Sequence, residues 1–380
     1  MAIRQDHFLD RSNINNIEDI LAVESLDIDE ECSRVTDNAD AIFTWDYTKG
    51  ARPRLNTLYE KAKNSQWNGE TDLDWSIEVD PVATTMGLLT SGGEMGPLER
   101  LQSEPNDPFK NWGDEEWTQL AVESQGWRLS QFMHGEQGAL VCTAKIVETV
   151  PWIDAKYYAS TQVMDEARHV EVFAKYLYEK WPTQYQINPH LKALLDDIIA
   201  DSRWDMTYLG MQIMVEGLAL AAFGFMHQLT EEPLLKKLLR YVMADEARHV
   251  AFGVLSLQEY YAGLTNDEIL ERQVFAFESA LRMRDRFLQQ EVWEKMGVDQ
   301  RVVLPALLNA TPEEQQFQQL LFSKIVPNCK KLGLLDAGDG WLRQKFGEIG
   351  VIQFENMAST DDEYGAFDEV SNDRAAVAAA

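Results

Sequence analysis

Cysteine is scarce: the 380 residues contain three, Cys32, Cys142 and Cys329. They lie far apart and form neither a CxxC pair nor a zinc pattern. Three thiols also cannot ligate a four-cysteine iron–sulfur cluster. A reducing cytoplasm is the expected compartment. Basic residues are outnumbered 63 to 34, for a net charge of −29. That excludes a general electrostatic attraction to nucleic acid or to anionic lipid, so neither is expected as a partner. No apolar run approaches the ~18 residues of a membrane span. Met1 to Asp10 carries scattered charge and no apolar stretch of the kind a leader needs. No GxGxxG marks a strand–turn–helix for a flavin or nicotinamide nucleotide. No segment alternates convincingly as a β-strand would.

Hydrophobic residues make up 45% of the chain, enough for a sizeable core. Helical spacing begins at 55–67. The stretch 72–108, rich in Gly, Pro, Ser and Asp, reads as extended loop. Helix formers then dominate four long segments, about 114–148, 152–180, 191–228 and 233–262, with Pro151 and Pro233 where turns are needed. Further helices are expected at 266–297 and 312–332. The organisation that follows is an N-terminal extension with a loop and one or two helices (1–113), a four-helix unit (114–262), covering helices (263–357) and a disordered tail (358–380). The fold class is all-α.

The hexapeptide Asp-Glu-Ala-Arg-His-Val occurs twice, at 165–170 and 245–250. Each copy carries Glu-x-x-His, Glu166 with His169 and Glu246 with His249, and residues three apart share a helix face. Counting back 30 positions from each glutamate reaches Glu136 and Glu216, both in otherwise apolar or small surroundings. A lone buried carboxylate needs a partner. Pro151 is the midpoint of 136 and 166, and Glu231, beside Pro233, is the midpoint of 216 and 246. In each pair the glutamates sit 15 residues either side of a turn. At ~1.5 Å per residue they face one another at equal height in an antiparallel hairpin. Two such hairpins bring four carboxylates and two imidazoles to one level, a donor set suited to a pair of iron ions, with manganese as the alternative.

This ligand set resembles that of the ferritin-like di-iron carboxylate bundles. From about 114 to 262 the chain looks most like the hydroxylase subunits of bacterial multicomponent monooxygenases and the arylamine N-oxygenases. The stretch LYEKAKNSQWNGETDLDW, 58–75, resembles one found ahead of the bundle in those enzymes. The resemblance implies Glu136, Glu166, His169, Glu216, Glu246 and His249 as metal ligands and dioxygen as co-substrate. It also implies that Asp165 orients His249 and Asp245 orients His169 from the opposite hairpin, with Arg168 and Arg248 pairing the aspartates.

The chain departs from its look-alikes at three positions. Phe173 stands where ribonucleotide reductase small subunits carry a radical tyrosine. Val242 replaces the extra histidine of the arylamine N-oxygenases. Leu220 replaces the threonine of methane and aromatic hydroxylases. The expected function is therefore a non-haem di-iron, dioxygen-activating oxygenase or oxidase acting on a small organic, apolar or aromatic substrate. A ferritin-like iron-oxidising or iron-binding protein, or a manganese catalase, is the alternative. Side chains one turn from the ligands, Leu129, Phe132, Ala139, Thr143, Gln212, Ile213, Leu220 and Phe223, are the candidate substrate pocket. Glu123, Glu148 and Glu171 read as surface groups, and the tryptophans as packing. A redox cycle also needs an external electron donor, a reductase or ferredoxin, with Lys236, Lys237, Lys324, Lys330 and Lys331 as docking candidates. The helices beyond the bundle leave room for a homodimer.

Overall fold

The structure is a computed structural model that describes residues 11, 13–23, 32–85, 95–311 and 316–364. Among these the regular elements are helices, built around one continuous apolar core. Helix α1 is Pro53–Asn64, with proline in its first turn where no N–H is missed. Helix α2, Asp114–Thr149, runs for 36 residues. The Glu116 carboxylate accepts from the Gly113 N–H at 2.7 Å, and three acidic residues in its first turn suit the positive end of the helix dipole. Val150 turns extended, Pro151 cannot continue the helix, and α3 starts two residues later at Ile153–Lys180.

A second hairpin follows α4, Pro189–Ala200. Its first arm, α5, spans Trp204–Leu229; by length and composition it could cross a membrane, yet 83% of its apolar window is buried inside the protein. Its second arm, α6, is Pro233–Tyr261, where the Glu232 carboxylate accepts from the N–H groups of Leu234 and Leu235 at 2.7 and 2.6 Å. The hairpins α2–α3 and α5–α6 pack together, α1 lies across α3 and α6, and α7, Asn266–Arg286, packs on α4 and α5.

Several expected segments divide. The helix expected over 191–228 breaks after Ala200, because Asp201 turns extended and its carboxylate accepts from the Arg203 N–H at 2.9 Å, competing with helical hydrogen bonding. The helix expected over 266–297 stops at Arg286, and a short helix, Gln290–Lys295, follows after Gln289 adopts a left-handed conformation, φ 56°. The segment 312–332 is short pieces, Gln316–Leu320, a 3₁₀ turn and Ile325–Lys331, with 312–315 outside the described residues. The loop assigned to 72–108 contains the helix Met95–Gln102, and its 86–94 lie outside the described residues. The disordered tail expected from 358 is not seen at its start, where 360–364 is helical. Ser359, Thr360 and Tyr364 are buried, and Asn328 holds Thr360 through its side chain, while 365–380 lie outside the described residues.

Within α5, residues Leu209–Val215 form a π-helical turn that ends at Glu216. Two glycines make room for it. A Cβ on Gly253 of α6 would lie 2.5 Å from Gln212 Cβ, and one on Gly210 would lie 2.5 Å from Ile198 Cγ1 of α4. Such wide turns are rare and concentrate at functional positions.

Candidate metal centre

Glu136 of α2, Glu166 and His169 of α3 and Glu246 of α6 bring one donor atom each to within 4.8 Å of one another. Glu166, Glu216 of α5 and His249 of α6 do the same. Glu166 belongs to both groups, so the six side chains form one centre with two adjoining cation sites. All six are buried, with Glu166, His169, Glu246 and His249 essentially without solvent contact.

The histidines present Nδ1 inward. His169 Nδ1 lies 3.0 Å from Glu246, 3.2 Å from Glu136 and 3.4 Å from Glu166. His249 Nδ1 lies 3.0 Å from Glu166. Their Nε2 atoms face outward across the hairpin interface, His169 to Asp245 at 3.2 Å and His249 to Asp165 at 3.3 Å. A proton on Nε2 satisfies the aspartate and leaves the Nδ1 lone pair facing the centre. Arg168 and Arg248 each pair with the aspartate three residues before them on their own helix. Arg168 also reaches Asp245 at 3.0 Å, and Arg248 stands 3.6 Å from Asp165.

Three further side chains belong here that the sequence analysis did not assign. Trp67 Nε1 donates to Asp245 at 2.7 Å, its ring stacks near His169, and Arg168 lies over it. Gln66 donates to Asp165 at 3.0 Å and accepts from Arg168 at 2.9 Å. Both follow α1 directly and lie in the stretch 58–75, so that stretch was the available signal; Trp67 is not only packing. Gln162 Nε2 donates to Glu166 at 3.0 Å and to Glu216 at 2.9 Å, tying the two hairpins together. Its signal was a buried amide one turn before Glu166.

The donors fit cations. Glu166 Oε2, Glu216 Oε2, both oxygens of Glu246 and His249 Nδ1 are buried without a hydrogen-bond partner. Four carboxylates in an apolar interior cannot all ionise unless positive charge joins them. With the chain alone, burial and the Glu246 charge push the Glu136 carboxyl well up, and burial and the Glu166 charge do the same to Glu216. Burial pulls His169 and His249 down, but the surrounding carboxylates outweigh it and raise both well above the ordinary range. These are protons that two divalent ions would displace. Nitrogen and carboxylate donors of this kind suit iron or manganese.

A narrow cavity opens beside the centre, lined by Phe132, Glu136, Ala139, Val215, Glu216, Glu246 and Arg286 among others. Of the expected pocket only Phe132 and Ala139 line it; Leu129, Thr143, Gln212, Ile213, Leu220 and Phe223 are packed in the core instead. From α5, Val215 and Ala219 reach the cavity beside Glu216 in place of Gln212 and Leu220. Phe173 stacks on Phe223 with centroids 5.5 Å apart, and Val242 is fully buried. Glu123 is not a surface group: it is buried, accepting from the Tyr185 hydroxyl at 2.7 Å and pairing with Lys295 at 2.8 Å, whereas Glu148 and Glu171 are exposed. Lys330 binds Asn356, and Lys324 and Lys331 pair with Glu363 and Asp362.

No family model matches the chain, and no curated protein matches it. Solved structures do. One is an R2-like ligand-binding oxidase point variant with an anaerobically reconstituted Mn/Fe cofactor, 18% identical, covering 75% of this chain and 94% of that one, with a TM-score of 0.43. Another is a variant with an aerobically reconstituted Fe/Fe cofactor, 17% identical, covering 82% and 95%, with a TM-score of 0.43.

Proposed function

We propose that this chain is a non-haem dimetal oxidoreductase that uses dioxygen to oxidise a small organic molecule, with Glu136, Glu166, His169, Glu216, Glu246 and His249 holding two iron ions or an iron and a manganese. The observation that carries this reading is the pair of adjoining donor groups sharing Glu166, buried in apolar surroundings with unpartnered oxygens. Reduced iron or manganese held there would supply the electrons that dioxygen accepts. The chain's own residues do the rest. Asp165 and Asp245 orient the imidazoles, Gln162 fixes Glu166 against Glu216, and Phe132 with Phe223, centroids 4.7 Å apart, helps to keep water from the centre. The cavity borders three of the glutamates, so a small molecule entering it would meet the centre directly. A separate reductase or ferredoxin is the proposed electron source, since the sequence carries no nucleotide or cluster motif.

The test measures metal content and dioxygen uptake together. Wild type should hold two ions per chain and consume dioxygen once reduced, faster with an accepted organic substrate. Glu166→Ala or His249→Ala should lose most of the metal. Full metal content in either variant removes the ligand assignment. Disproportionation of hydrogen peroxide with no organic substrate and no electron donor would turn the reading to a manganese catalase.

A further inference from the structure

In a chain of net charge −29, helix surfaces carry acid: the exposed positions in the first two turns of α7 include Asp267, Glu268 and Glu271. The outer face of the α2–α3 hairpin does not. From 137 to 147 and from 160 to 170 the fully exposed residues are Gln137, Val141, Ala144, Ser160, Met164 and Ala167, none of them charged. Leu140, Val147, Val163 and Val170 lie half-exposed among them. The Lys, Arg, Asp and Glu residues of these spans, Lys145, Asp165, Glu166 and Arg168, are all buried. Two uncharged stripes thus lie at the same heights on neighbouring antiparallel helices.

An arm stands at one end of this face, where α2 turns into α3. It is anchored on both sides: the Ile42 N–H donates to the Glu148 carbonyl oxygen at 2.9 Å, and the Gly50 N–H donates to the Asp154 carboxylate at 2.9 Å. Between these anchors Phe43, Trp45 and Tyr47 alternate along the chain, 79%, 79% and 62% exposed, and Phe43 stacks on Trp45 with centroids 6.0 Å apart. Apolar surface gathered in this way marks an interaction site. Each stripe runs about 15 Å, and two helices about 10 Å apart present a face of roughly 300 Å². The three aromatic side chains of the arm add roughly 400 Å². Together these approach the roughly 800 Å² per partner of a stable protein interface.

The geometry points to a second copy of this chain as the occupant of this surface, with the two uncharged hairpin faces set against one another and the aromatic arm of each copy clasping the other. A two-fold pair places the same patch on both sides, so no charge is buried without a partner. Other approaches set one acidic surface against another, at a net charge of −29 on each chain. A strongly charged partner of another kind would find nothing on this face to pair with. Both ends of the arm are already tied to the hairpin, so little order is lost when its rings dock.

Analytical ultracentrifugation of the full chain at micromolar concentration reads the pairing, and wild type should show twice the mass of one chain. Val141→Glu combined with Ala144→Glu places two charges on each face and should weaken the pair about 100-fold or more. Trp45→Ser, which changes a ring standing clear of the core, should weaken it about tenfold or more. Both variants should keep the circular dichroism of wild type. Met357→Glu, which alters an exposed apolar side chain away from the hairpin, should leave the mass unchanged. Added salt should preserve or tighten the pair, because it screens the repulsion between two acidic chains. A monomeric wild type overturns the proposal. A pair that survives the hairpin or the arm substitutions at full strength would place the contact elsewhere and also overturns it. So does a pair that comes apart as salt rises, which would make the contact ionic. A monomer that floats with phosphatidylcholine vesicles would give the face to a membrane surface, and overturns it too.

Discussion

Asp165 Oδ2 lies 3.3 Å from Nε2 of His249, although the two sit on different hairpins and 84 positions apart. Asp245 stands in the same relation to His169. Each hairpin thus orients the histidine of the other. Asp165→Ala should cut metal affinity or turnover about 10- to 100-fold while circular dichroism remains helical. Wild-type affinity and turnover would show that the imidazole is held by its own helix alone.

Trp67 adds a neutral donor to the Asp245 carboxylate from outside the bundle. Trp67→Phe keeps most of the ring and removes the N–H. Arg168 and Arg248 remain on Asp245, so the loss should be about 1 kcal/mol, roughly fivefold in metal affinity. A loss as large as that of Asp165→Ala would mean that the indole does more than complete the aspartate's hydrogen bonds.

Gly253 lets α6 pass against the π turn of α5. The contact that an added Cβ would meet is the Cβ of Gln212, which cannot swing aside. Gly253→Ala should cost about 1–3 kcal/mol in urea unfolding and reduce metal content by displacing Glu216. Gly224→Ala, whose new methyl meets only Met243 Cε at 3.6 Å, is the control and should be neutral or stabilising by up to about 1 kcal/mol. Equal effects of the two substitutions would show that the π turn needs no such clearance.

His190, at the start of α4, is buried with Nε2 3.1 Å from the Ile20 carbonyl oxygen, and burial pushes its pKa down to about 4. The unfolded chain takes up a proton near pH 6.5 and the folded chain does not. Stability is therefore complete above about pH 6.5 and falls as the pH is lowered towards 4, by on the order of 3 kcal/mol in all. The stability difference between wild type and His190→Gln should shift by about 2 kcal/mol between pH 7 and pH 5, against wild type. A difference independent of pH would show that His190 titrates normally.

The repeated Asp-Glu-Ala-Arg-His-Val and the matched intervals back to Glu136 and Glu216 are local and periodic facts. Helical rise and period are the same wherever a helix forms, so spacing alone puts those six side chains at one height on two hairpins. The breaks at Asp201 and Gln289 were not legible, because the first depends on one side chain competing for one backbone N–H and the second on one residue in a left-handed conformation. Trp67 and Gln66 were visible only as part of a suggestive stretch, since what they touch is set by where α1 lies across the bundle.

Composition and periodicity thus determined the all-α class, the paired hairpins and the donor set, all consequences of interactions within about four residues along the chain. Tertiary structure alone decided which side chains border the cavity. Val215 and Ala219 reach it from α5, and Arg286 arrives from α7. The reason is physical: a helix face is written in its own sequence, but what lies opposite it, and whether a buried charge finds a partner, depends on chain segments far away.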